Sequence, residues 1–188
     1  MQIGRFEKDN KIFFGYINND KVYELDIKKI NDAINIYNLN DLKILTPVEP
    51  SKIIAVGLNY KKHAKEMNMK IPDEPIIFLK PTSSVLSHNE NIIYPDSSKQ
   101  IDYEAELAVV IKNITHKIDV KEAKNYILGY MPFNDVTARD LQKIDGQWTR
   151  AKGFDTFSPF GPFIETEIEN PQNLRISAFL NKDIMQDG

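Results

Sequence analysis

The sequence predicts a mostly β protein of the α+β class. Short runs rich in Ile, Val, Phe and Tyr alternate with turns built from Asn, Asp, Gly and Pro. Runs of this kind outnumber stretches with helical periodicity. The longest run, residues 101–111, alternates acidic and apolar side chains, the two-residue period of a strand.

Residues 1–6, 11–17 and 21–25 read as strands. Asp9-Asn10 and Asn18-Asn19-Asp20 lie between them as turn chemistry, which predicts hairpins. Ile27, Ile30, Ile34 and Tyr37 recur at helical spacing and predict one amphipathic helix. Leu45-Thr46-Pro47-Val48-Glu49-Pro50 is a stiff connector. It divides a small β-rich N-terminal domain, 1–47, from a second domain, 51–188. In that second part, residues 52–57 form an apolar run too short for a helix and predict a buried strand. Residues 59–69 predict a short helix stopped by Pro72. Residues 75–79, 91–94 and 102–111 predict further strands. Asp119-Val-Lys-Glu122 is a capping box opening a helix with Val120, Ala123 and Ile127 on one face, and 126–133 returns to the sheet.

Composition removes several function classes. Of the 188 residues, 41% are hydrophobic and 27% charged, which supports a folded core rather than a disordered chain. No apolar run approaches the roughly 20 residues that span a bilayer, and the start lacks the apolar segment of a secretory signal. A net charge of −3 with interspersed signs offers no basic patch to a nucleic-acid backbone. With no cysteine there is no disulfide, no thiolate nucleophile and no Cys-type zinc site, so a metal would need oxygen or imidazole ligands. A cytoplasmic enzyme or binding domain remains.

Three segments could carry chemistry. In 101–111, Asp102, Glu104 and Glu106 share one strand face, and the next positions on that face are Ala108 and Val110. One reading is an exposed acidic face. The other is a set of carboxylates at the mouth of a buried strand, about 7 Å apart and tolerated through a cation or raised pKa values. Such oxygens suit Mg2+ or Mn2+ rather than zinc. In 60–66, His63 and Glu66 at i and i+3 could form an oriented general base, or simply decorate a surface helix. In 133–157, Asp135 is either a helix N-cap or a functional carboxylate. Arg139 and Gln142 share a helical face as donors able to hold an oxyanion. The lone Trp148 in a Gly-flanked polar loop suits a pocket wall or lid. His88 and His116 lie in polar turns and carry no assignment.

Taken in order, NYKKHAKEM (59–67), FLKPTSSV (78–85), DYEAELAVVI (102–111), GYMPFNDVTARDLQ (129–142) and GQWTRAKGFDTFSPFGP (146–162) make residue 52 onward resemble the fumarylacetoacetate hydrolase family. The similar branch is that of short acylpyruvate hydrolases and 2-hydroxyhepta-2,4-diene-1,7-dioate isomerases. The resemblance implies a mixed β-roll or barrel catalytic domain behind a small variable N-terminal domain. It also implies a divalent ion, Mg2+ or Mn2+ first and Ca2+ after them, held by Glu104, Glu106 and Asp135, with water completing the shell. Asp102 matches the start of the strand motif but is not implied as a ligand. His63 and Glu66 match a lid pair that activates water; Arg139, Gln142 and Lys152 match donors to substrate oxygens.

The implied activity is C–C bond hydrolysis of acylpyruvate-like 2,4-dioxo acids through a metal-bound enolate. The alternatives are isomerisation, tautomerisation or decarboxylation of a related dioate or oxaloacetate, and a non-catalytic metal-stabilised binding domain. The expected partner is a small 2-oxo acid, without nucleic acid or membrane, and the expected state is a homodimer. The last residues, 181–188, resemble a segment after which relatives continue, so the catalytic domain is expected to be incomplete at its C-terminus.

Overall fold

The computed structural model describes residues 1–26, 29–61, 64 and 70–188. The chain opens with an antiparallel meander: β1 (Gln2–Lys8), β2 (Lys11–Asn18), β3 (Lys21–Asp26) and β4 (Lys29–Asn38). A 3-10 turn (Leu39–Asp41) and β5 (Lys43–Leu45) follow. Asp9 and Asn10 both take positive φ (50° and 64°), the two-residue hairpin geometry that Asp and Asn tolerate, and Asn19 does the same at φ 53°. Alternate residues of β1 to β3 turn inward, so Phe6, Phe13 and Val22 are buried together with Tyr37, Ile44 and Phe163 around them. Phe6 is fully buried between Phe13 and Phe163, with ring centroids 5.8 and 6.2 Å away. Phe6→Ala is expected to destabilise the fold by about 3–5 kcal/mol, read as a lower denaturation midpoint.

The helix expected from Ile27 to Tyr37 is instead a strand: residues 29–38 form β4, and residues 27 and 28 lie outside the described residues. Ile30, Ile34 and Ile36 also fit a two-residue period, and β-branched side chains favour an extended backbone. Pairing with β3 decides the matter, Val22 lying opposite Tyr37. Ile34 and Ile36 face outward while Asn35 and Tyr37 turn in and donate to the buried carboxylate of Glu24.

Beyond the connector come β6 (Ile53–Gly57) and β7 (Ile76–Lys80), an antiparallel pair. A 3-10 turn (Thr82–Ser84) and β8 (Val85–Leu86) follow, then β9 (Ile101–Asp102) and β10 (Ala105–Ile111). Residues 91–94, expected as a strand, are irregular; Ile93 and Tyr94 are exposed, and Ile93 N donates to Thr156 Oγ1 at 2.9 Å. Asp119 is the N-cap, its side chain accepting from Lys121 N, but among the described residues no bond from the Glu122 side chain returns to it, so the reciprocal box does not form. The element Asp119 opens is a 3-10 helix (Val120–Tyr126), and Ile127 already belongs to β11 (Ile127–Asn134). Then come β12 (Thr137–Ala138), α1 (Arg139–Asp145), α2 (Thr149–Lys152), β13 (Ser158–Pro159), β14 (Ile164–Glu165) and the hairpin β15 (Ser177–Leu180) and β16 (Asp183–Asp187).

The molecule is mostly β. Its main sheet runs β10-β11-β14-β1-β2-β3-β4, with β5 paired to β1. β14 joins strands from both sides of the connector, pairing Ile164 with Ile3 and Glu165 with Tyr130. Met131, Phe160 and Ile164 form the core against this part of the sheet. A second core of Val136, Ala138, Leu141, Ala151 and Phe157 locks β12, α1 and α2 together. Among the described residues, no helix is long and apolar enough to cross a membrane.

Candidate metal centre

Antiparallel register brings remote acids together. Ala105 pairs with Asn134 and Glu106 with Phe133, so Glu104 and Asp135 meet at the end of the β10–β11 ladder. Two further bonds fix that end: Glu104 N donates to Asn134 Oδ1 at 3.0 Å, and Asp135 N donates to Glu104 O at 2.9 Å. The result is a cluster in which carboxylate oxygens of Glu104, Glu106 and Asp135 all lie within 4.8 Å of one another. The strand breaks between β9 and β10, so Asp102 leaves that face. It pairs with Thr137 in β12 and accepts from Arg139 Nε at 2.9 Å.

Three cations neutralise the acids. Lys152, buried at the end of α2, donates to Glu104 Oε2 at 2.7 Å and Asp135 Oδ2 at 2.5 Å. Arg139 donates through Nη2 to Glu104 Oε1 at 2.5 Å and through Nη1 to Gln142 Oε1 at 2.6 Å. The last bond orients the Gln142 amide so that its NH2 is left to donate elsewhere. Lys80, at the end of β7, donates to Asp135 Oδ1 at 2.5 Å and to Val136 O at 3.3 Å. Its side chain has 0% exposure, and that of Asp135 2%.

The charges sort the carboxyls. Burial pushes Glu104 upward, but Lys152 and Arg139 outweigh it and hold it below its ordinary value. Burial pushes Lys80 down against the opposing pull of Asp135. Glu106 receives no hydrogen bond or ion pair from a described residue. Burial, with the nearby charges of Asp135 and Glu104, pushes its carboxyl up to about 8. A desolvated acid crowded by two other carboxyl groups is what a bound cation relieves. All three donors are hard oxygens, and each retains a lone pair after its hydrogen bonds. The set therefore fits a hard dication such as Mg2+ or Mn2+.

The structure thus gathers Glu104, Glu106, Asp135, Arg139, Gln142 and Lys152 into one network. His63 and Glu66 lie outside the described residues. Asp135 does not cap α1, whose N-cap is Ala138. Trp148 stands edge-on to Phe78 at 5.3 Å and occupies the space over Gly57, where a Cβ would come within 2.4 Å of its ring. Lys80 was not picked out by sequence reasoning, because a lysine that closes the apolar run Ile76–Leu79 reads as a solvated strand end. A cavity of about 550 Å3 opens beside Glu106, bounded also by Asp102, His88, Ile92, Phe133 and Phe179.

The profile of the family described as Fumarylacetoacetate (FAA) hydrolase C-terminal matches residues 52–188. The chain belongs to the fumarylacetoacetate hydrolase family. An uncharacterised protein of Archaeoglobus fulgidus is 49% identical to this family member over 98% of the chain, which spans 71% of that relative. The mitochondrial oxaloacetate tautomerase of Rattus norvegicus is 42% identical over 78% of the chain, which spans 48% of that protein. The crystal structure of 5-carboxymethyl-2-hydroxymuconate delta-isomerase from Mycobacterium smegmatis superposes with a TM-score of 0.88 at 37% identity, covering 100% of this chain and 74% of that one. This family member therefore shares its fold with an isomerase and much of its sequence with a tautomerase.

Proposed function

We propose that this chain holds a divalent cation at Glu104, Glu106 and Asp135 and acts on a small 2-oxo acid, moving a proton between carbon and oxygen. The convergence of three carboxylates, Asp135 buried and Glu104 and Glu106 half-buried, with Glu106 lacking a hydrogen-bonded cation among the described residues, carries this reading. The named activities of the rat and mycobacterial relatives favour tautomerisation or isomerisation as the reaction class. When bound, the ion supplies Lewis acidity and a template for adjacent carboxylate and 2-oxo oxygens.

The protein's own groups do the rest. Lys152 spends two N–H bonds on Glu104 and Asp135 and keeps the third for a substrate oxygen that gains charge. Gln142, oriented by Arg139, offers its NH2 to the same region. Arg139 itself is a holder of Asp102, Glu104 and Gln142. His63, which the resemblance pairs with Glu66, takes the proton from the carbon next to the carbonyl and returns it to oxygen. C–C hydrolysis of a 2,4-dioxo acid is the second reading, favoured by the NYKKHAKEM segment. There His63 deprotonates water, and hydroxide adds to the distal carbonyl carbon while Lys152 and Gln142 donate to the oxyanion. Collapse of that oxyanion breaks the C–C bond, so that one carboxylic acid forms and pyruvate leaves as its enolate and takes up the proton from His63 at carbon.

The test supplies Mn2+ with oxaloacetate, acetylpyruvate and 2-hydroxyhepta-2,4-diene-1,7-dioate in heavy water. Deuterium gained at carbon without cleavage supports proton transfer; release of pyruvate from acetylpyruvate, abolished by His63→Ala, supports hydrolysis. Lys152→Met is expected to lower kcat by about 100-fold or more in either case. Neither exchange nor cleavage on any of the three would overturn the proposal.

A further inference from the structure

β10 is the terminal strand of the main sheet, paired with β11 along one edge. The backbone groups of its other edge need partners, because an exposed row of N–H and C=O groups is otherwise left to water or to another chain. Two side chains from distant elements supply them. Gln186 of β16 accepts from Ala105 N through Oε1 at 2.8 Å and donates to Tyr103 O through Nε2 at 3.4 Å. Tyr60 accepts from Leu107 N through its hydroxyl at 3.1 Å.

The capped positions, 103, 105 and 107, interleave with the two glutamates. Successive side chains of an extended chain point to opposite faces, so fixing the backbone on both sides of a residue fixes where its side chain points. Glu104 is thereby held between Tyr103 and Ala105, and Glu106 between Ala105 and Leu107. The two caps are themselves anchored. Tyr60 O accepts from Ala64 N at 3.0 Å, and Ala64 is buried. Gln186 sits in a hairpin, opposite Ala178 of β15.

We infer that Tyr60 and Gln186 are positioning residues that hold Glu104 and Glu106 at ligand spacing by capping the outer edge of β10 and of the two residues that lead into it. This rests on the proposed ion site. It ties Tyr60, anchored through Ala64, and the hairpin β15–β16 to the geometry of the carboxylates, although neither cap touches a carboxylate.

Mn2+ titration of the 188-residue chain, followed by electron paramagnetic resonance, tests it alongside urea denaturation. Tyr60→Phe, which removes one acceptor, and Gln186→Leu, which removes an acceptor and a donor, are expected to weaken Mn2+ by about 10-fold or more, the usual cost of losing support behind a ligand. Gln186→Glu keeps an acceptor oxygen opposite Ala105 but loses the donor to Tyr103 O, and is expected to bind Mn2+ more tightly than Gln186→Leu and less tightly than the unaltered chain. Unchanged Mn2+ affinity in Tyr60→Phe and Gln186→Leu, with only the urea midpoint lowered, makes the caps merely structural and overturns the inference. Equal losses in Gln186→Leu and Gln186→Glu overturn it as well. Glu106→Gln separates the two levels. If it leaves Mn2+ binding intact, the ion site itself falls and this inference with it. If it abolishes binding while the cap variants bind normally, only this inference falls.

Discussion

Replacing Asp135 with alanine is expected to destabilise the protein by about 3–5 kcal/mol, a fall of roughly 6–20 °C in Tm for a chain of this size. The lost carboxylate is the common acceptor for two buried ammonium groups. Side-chain exposure is 0% at Lys80, 3% at Lys152 and 2% at Asp135. Without Asp135, Lys152 keeps Glu104, but among the described residues Lys80 keeps as hydrogen-bond acceptor only the carbonyl of Val136 at 3.3 Å, with the Phe133 ring 5.9 Å away. A buried charge stripped of its partner costs far more than an ion pair contributes, so the loss falls mainly on Lys80. The double variant Lys80→Met with Asp135→Ala is accordingly expected to recover a large part of the loss. Calorimetry of the single variants and the pair closes the cycle. A double variant no more stable than Asp135→Ala alone would place the cost elsewhere, in the packing around Val136 and Thr137.

The same pair shows what could and could not be read from the sequence. The first hairpins were legible because their signals are local: Asp9, Asn10 and Asn19 sit where the backbone needs positive φ. The fold class and the acidic cluster were legible because five ordered segments carry them, Asp135 among them. Helical spacing from Ile27 to Tyr37 misled because β-branched residues four apart satisfy both periods, and only pairing with β3 chooses between them. Alternation also misplaced Asp102. The face it defines assumes an unbroken strand, whereas the chain breaks at Tyr103 and Glu104, where Asn134 and Gln186 side chains take over the backbone groups. Lys80 was out of reach for a different reason: a lysine after an apolar run is ordinarily a solvated strand end. Only tertiary structure, with Asp135 55 residues away, turns it into a buried counter-ion.

Ion affinity is expected to rise with pH and to level off near pH 8, because a dication needs the Glu106 carboxylate that burial and its acidic neighbours keep protonated. The carboxyl stands at about 8 in the folded chain against an ordinary 4.5. Between those values the folded, ion-free protein keeps a proton that the unfolded chain has given up. Stability without the ion therefore falls as pH rises through that window and flattens above it. Binding reverses the sign, since the ion takes the deprotonated form and releases the proton. Below pH 8 the Mn2+ association constant should climb by close to 10-fold per pH unit, and above it hardly at all. Glu104 adds no slope there, because Lys152 and Arg139 keep it ionised throughout. Calorimetric titrations at pH 6, 7, 8 and 9, in buffers of different ionisation heat, count the released proton directly. Glu106→Gln should bind more weakly at pH 8 and lose the slope. A wild-type affinity that does not change between pH 6 and 8 would mean that Glu106 is already ionised without the ion, and the case for it as the ligand that lacks a counter-charge would fail.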